Sequence, residues 1–208
     1  EGLGDQHVDG NLDLADATLA DSRWNIKFTG VNGRTSFNNH GFATDNLAVK
    51  LQDEPGIFNL RVGDATGDAA VAALATLEGQ FSAATLADRD ADLAWLKPYM
   101  KGSARWRIAV GVPKAVGGRT PPSHLRVASD LVGVDVSLPA PLAKPATTPM
   151  AMELQAPLPL EGEMNLKLGN NLMRMRAQVH EKAPMAGSVV FGEGAFAPAP
   201  AQGLVVRG

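Results

Sequence analysis

Apolar and polar residues alternate along most of this chain, and that period of two restricts its fold more than any other feature. Trp24, Ile26 and Phe28 share one side, with Arg23, Asn25 and Lys27 on the other. Phe58, Leu60 and Val62 alternate with Ile57, Asn59 and Arg61. Ala104, Trp106, Ile108 and Val110 oppose Arg105 and Arg107, and Val134 and Val136 flank Asp135. Later runs pair Met150, Met152 and Leu154, then Met164, Leu166 and Leu168, then Met173, Met175, Ala177 and Val179. Successive side chains of a strand point to opposite faces, so this rhythm predicts half-buried strands, roughly a dozen of them. The fold class is all-β.

Turn chemistry fits that reading. Asn32-Gly33 is expected to close a tight hairpin, because both positions tolerate positive φ, and Asn38-Asn39-His40-Gly41 makes the next reversal. Gly117-Gly118 and Pro121-Pro122 separate the Trp106 strand from the Leu125 strand. Twelve of the 14 prolines follow residue 110, which predicts longer loops and more edge character in the second half. Short links favour an antiparallel meander. The expected division is a meander over 1–101 and a second, proline-rich one over 102–208, joined as one continuous sheet. One short helix is predicted near 88–97, with acids in its first turn, Leu93 and Leu96 at helical spacing and Pro98 as a stop. The Ala-rich run 69–76 is read as strand.

Composition narrows the function. Cysteine is absent, so there is no disulfide framework, thiolate metal cage or Cys nucleophile. Aromatic residues make up 5%, too few for carbohydrate clefts or base-stacking platforms. No apolar run reaches the ~18 residues of a membrane helix, and no signal peptide is present. The chain begins at Glu1 in mid-pattern and reads as a piece of something longer.

Charge is uneven. Residues 1–96 carry 6 basic and 15 acidic side chains, whereas Lys97 to Arg126 holds seven basic residues and no acid. Such a stretch can steer an anionic ligand or headgroup, or form a solvated strand face balanced by the acidic first half. It matches no nucleic-acid-binding motif, and no nucleic-acid partner is expected.

Catalytic patterns are missing. His7, His40, His124 and His180 are scattered, with no i,i+4 pair. Asp88-Arg89-Asp90-Ala91-Asp92 fails as a calcium loop, since Leu93 and Tyr99 stand where Gly and Glu are needed. There is no nucleophile elbow, phosphate-binding loop or dinucleotide fingerprint. No cofactor or metal is expected, and nothing here looks like an enzyme.

The sharpest local feature runs from Leu125 to Ala146. It reads as two strands broken at Ser129-Asp130, followed by a loop stiffened by Pro139, Pro141 and Pro145. Its residues Ser129, Asp130, Leu131 and Gly133, then Leu138, Pro139, Pro141, Leu142 and Lys144, resemble the Ser-Asp-Leu-x-Gly … Leu-Pro-x-Pro-Leu-x-Lys signature of the YhdP proteins. These are members of the AsmA-like superfamily of Gram-negative bacteria. Gly102-Ser-Ala-Arg-Trp106 is similar to the family's Gly-x-x-x-Trp element. The resemblance is strong over 102–146 and looser elsewhere.

What the resemblance implies is a section of a bridge-like lipid transfer protein. Such proteins are anchored in the inner membrane and cross the periplasm as a long, curved antiparallel sheet whose apolar groove, shaped like a taco, carries phospholipid. The expected partners are phospholipid acyl chains, with membrane-associated partners reached through other parts of the protein. The expected location is the periplasmic portion. The loop signature would shape a sheet edge, with Lys144 no more than an edge charge.

Combined with alternation, the resemblance nominates lipid-facing residues. In the first half they are Trp24, Ile26, Phe28, Phe58, Leu60 and Val62. In the middle they are Trp106, Ile108, Val134 and Val136, followed by Met164, Leu166, Met173 and Met175. A closed β-sandwich built from the same strands stays open as the alternative, because a one-sided apolar sheet must be covered by something. In that case the function would be structural or protein-binding, with no lipid ligand.

Overall fold

The computed structural model describes residues 8–21, 26–88, 91–180 and 183–208. Among them are thirteen strands: β1 (Asp9–Asp21), β2 (Ile26–Asn38), β3 (Gly41–Leu51), β4 (Glu54–Gly63), β5 (Val71–Ser82), β6 (Met100–Pro113), β7 (Ser123–Ser129), β8 (Val134–Val136), β9 (Met152–Leu158), β10 (Gly162–Leu168), β11 (Met173–His180), β12 (Ala183–Phe191) and β13 (Gly203–Arg207). They belong to one sheet, hydrogen-bonded in chain order except that β8 pairs with β6 and β7 continues to β9. A single sheet in this order is the all-β meander, not the two facing sheets of a sandwich. No described helix is long and apolar enough to cross a membrane.

The chain divides into two compact units, residues 1–78 with 110–121 and residues 79–109 with 122–208. In the first, β1 to β4 pair antiparallel. In the second, β7, β9, β10, β11 and β12 do the same.

Three expectations need correction. Asn32-Gly33 closes no hairpin, because β2 runs straight through it. The positive φ of Gly33 falls in an irregular stretch of register instead, where the Asn32 side chain donates to the Gly30 carbonyl and accepts from the Asp16 N–H. Glycine suits position 33 because its φ is 138°, and a Cβ there would lie 2.8 Å from Leu47 Cδ2. The next reversal, at Asn38 to Gly41, is where the sequence puts it.

The helix predicted near 88–97 is present as 3₁₀ turns only, and a second helix precedes it. A short α-helix, α1, spans Ala83–Ala87, and a 3₁₀ segment spans Ala91–Leu96. Ser82 caps α1 by accepting from the Thr85 N–H at 3.0 Å. Ser82→Ala should cost about 1 kcal/mol, read as a melting-temperature drop of roughly 2–4 °C. The run before it behaves as read, with β5 under way from Val71.

The third correction is that β12 and β13 pair in parallel. A parallel neighbour cannot be reached by a tight hairpin, so residues 192–202 cross over the sheet to align it.

Candidate functional site

Register sorts the side chains of each unit onto two faces, because directly opposite residues of paired strands share a face. In the first unit, one face collects Leu14, Ala17 and Leu19 of β1 with Ile26, Phe28 and Val31 of β2. Across β3 and β4 it continues through Leu47 opposite Phe58 and Phe42 opposite Val62. Phe28 and Phe58 meet with ring centroids 5.1 Å apart. Val31 and Leu47 are fully buried, while Leu12 and Phe37 towards the far end of the same face stay 54% and 41% exposed.

The other face of that unit is polar. Asp13 opposes Arg34, and the guanidinium Nε donates to the carboxylate at 2.8 Å. This bond to Arg34 holds the Asp13 carboxyl below its usual range. Asn46 and Asn59 exchange hydrogen bonds nearby. Of the nominated residues here, Ile26, Phe28, Phe58, Leu60 and Val62 fall on the apolar face; Trp24 lies outside the described residues.

The second unit repeats this segregation across more strands. One row runs Ser129, Met152, Leu168, Met173 and Phe191. The next runs Val127, Leu154, Leu166, Met175, Val189 and Val206. Met164, Ala177, Gly187 and Leu204 form another. The opposite face carries Arg126, Glu153, Gln155, Glu163, Lys167, Arg174, Arg176 and Gln178. Met164, Leu166, Met173 and Met175 thus sit together on the apolar face, half-buried except for Met173, which is 8% exposed.

The crossover to β13 lies on the polar face. Phe196 packs under both arginines, its ring centre 5.4 Å from Arg174 Cζ and 4.8 Å from Arg176 Cζ, within cation–π range. Arg174 Nη2 donates to the carbonyls of Gly192 and Gly194, and the Ala197 N–H donates to Ser188 Oγ. The strap and the polar face border an open pocket of about 350 Å³ lined by Arg176, Gln178, Ser188 and Phe196. A parallel connection has to cross one face of its sheet, and this one crosses the polar face, not the methionine-bearing one.

Trp106, Ile108, Val134 and Val136 share a side of β6 and β8, since Gly102 opposes Val134 and Met100 opposes Val136. Trp106 is 4% exposed and its indole N–H donates to the Phe81 carbonyl at 3.0 Å. Val134 and Val136 are buried as well, so these three contribute to a core, while Ile108 is half-buried.

The signature residues build a lock beside them. Ser129 Oγ donates to the Arg105 carbonyl and accepts from the Leu131 N–H. The Asp130 side chain accepts from Val132 N–H, and its carbonyl accepts from Met150 N–H. Leu131 is buried with φ of 54°. Gly102 and Gly133 interlock: a Cβ on either would stand 2.2 Å from a carbonyl oxygen of the facing segment. Leu138 and Leu142 are half-buried, and Pro139 and Pro141 are exposed.

Lys144 is no edge charge. It is 5% exposed, and its ammonium donates to the carbonyls of Val134 at 2.5 Å and Pro145 at 3.1 Å. Desolvation pushes its pKa down, opposed by the charges of Asp135 and Asp130. Its main chain also bridges Val136 in both directions. The side chain therefore clamps the returning loop onto β8. Nothing local in the sequence distinguishes such a lysine from a solvated one.

Chemically, then, two elements stand out: apolar faces built by register, and a hydrogen-bonded lock against one stretch of β6. Neither a curated protein nor a solved structure matches the chain. A family model described as YhdP protein matches residues 3–208, which takes in the faces of both units and every residue of the lock, and the chain belongs to the YhdP family.

Proposed function

We propose that this chain is a lipid-binding, non-enzymatic section of a cell-envelope protein that moves phospholipid between the inner and outer membranes, working in the periplasm. The observation that carries the reading is the segregation of side chains in the second unit. Rows of Leu, Met and Val extend across β9, β10, β11 and β12, while the crossover strap occupies the opposite, polar face. An apolar sheet face that this crossover does not occupy suits acyl chains, which gain about 0.8 kcal/mol per buried methylene. Membership of the YhdP family supports the same reading through the lipid transfer that the signature implies.

The alternative, a structural or protein-binding domain, draws on the closed packing of Trp106, Val134 and Val136. Photocrosslinking separates the two. Probes at Leu166 and Met175 should capture phospholipid in cells, and probes at Lys167 and Arg176, one residue along on the same strands, should capture little. Equal labelling at all four sites, or labelling at none, would count for the closed domain.

A further inference from the structure

Six of the seven methionines lie between Met150 and Met185, although that stretch is a small part of the chain. Register places four of them on the apolar face of the second unit. Met152 and Met173 both oppose Leu168, Met175 opposes Leu166, and Met164 opposes Ala177. Met152, Met164 and Met175 are half-buried, and Met173 beside them is 8% exposed. The equivalent face of the first unit is built from Phe, Leu, Val and Ile, with no methionine at all. With cysteine absent, the thioethers are the groups in this chain most open to mild, reversible oxidation.

We propose that Met152, Met164, Met173 and Met175 form a reversible oxidation site that controls lipid occupancy of the second unit, an inference that rests on the lipid-binding reading above. The oxidant is a hypohalous acid. Each thioether takes the oxygen of one hypochlorous acid; the sulfur gives up two electrons, the chlorine leaves as chloride and one proton is released. The product is a polar sulfoxide among Leu154, Leu166 and Leu168, whose side chains offer no hydrogen-bond donor to it. Acyl chains then meet an unsatisfied dipole where they met a polarizable apolar atom. A dithiol-dependent sulfoxide reductase reverses the change, the oxygen leaving as water and the dithiol becoming a disulfide. Bound lipid should in turn shield the four sulfurs from oxidant.

The test uses the 208-residue chain incubated with vesicles of phosphatidylethanolamine and phosphatidylglycerol, then separated from them. Hypochlorous acid is added at one equivalent per methionine, and peptide mass spectrometry locates the sulfoxides. Retained phospholipid should fall roughly fivefold as the four sulfoxides form, with circular dichroism unchanged, and return on reductase treatment. In the lipid-loaded chain these four positions should oxidise more slowly than in the empty chain. For the combined variant Met152→Leu, Met164→Leu, Met173→Leu and Met175→Leu the readout is the ratio of lipid retained after treatment to lipid retained before it, whatever its starting level, and that ratio should stay near one. Full retention despite four sulfoxides, equal loss in the leucine variant, or loss of strand signal in step with lipid would each overturn the oxidation site. Should the leucine variant fail to fold, the wild-type arms of oxidation, reductase reversal and lipid protection decide the matter. An untreated chain that takes up no phospholipid would instead overturn the lipid reading, and the oxidation site with it.

Discussion

Gly133→Ala should lower the melting temperature by roughly 10 °C or more, the signature of a loss of about 3–5 kcal/mol. The new Cβ would stand 2.2 Å from the Ser103 carbonyl oxygen, a main-chain atom that cannot rotate aside. The φ of 99° at Gly133 adds strain for any side chain. Gly102→Ala meets the reciprocal problem against the Gly133 carbonyl and should behave alike. Gly117→Ala supplies the control. That residue has φ of 60°, but nothing lies within 4 Å of its added Cβ, so it should lose only about 1 kcal/mol. Thermal melts of the three variants separate backbone strain from steric exclusion. Similar melting for all three would mean that the two segments do not interlock.

A second large effect is expected at the centre of the first unit's apolar face. Leu47 is fully buried, opposes Phe58 and rests against Gly33. Leu47→Ala should cost about 2–5 kcal/mol, since the surrounding strands cannot collapse fully into the space it leaves. Leu12 lies on the same face but is 54% exposed. Leu12→Ala should therefore cost less than about 1 kcal/mol. Chemical denaturation of both variants measures how covered each part of the face is. Comparable losses would show that the face is covered evenly, which favours a closed core over a surface open to ligand.

Period-two alternation is a local property, and it was enough to assign faces. Ile26 with Phe28, Phe58 with Leu60 and Val62, and Met164 with Leu166 each keep to one side of their strands. Pleating forces that outcome once a segment is extended, whatever its neighbours do. Asp88, Asp90 and Asp92 mark the helical turns of Ala91–Leu96, whereas the Ser82 cap of α1 follows directly on a strand, where alternation masks it.

Other features have no local signal. An Asn-Gly pair such as Asn32-Gly33 serves a turn or an irregular strand equally well, and only the partners of β2 choose between them. The parallel docking of β13 depends on where Phe196 finds its cations, Arg174 and Arg176, some twenty residues back along the chain. Lys144 looks like any exposed lysine until the loop returns it to the carbonyl of Val134, ten positions away. Alternation thus determined which side chains travel together. Tertiary structure decided which of them are sealed, as Trp106 is, and which remain at a surface, because burial depends on contacts between segments that the spacing of residues cannot encode.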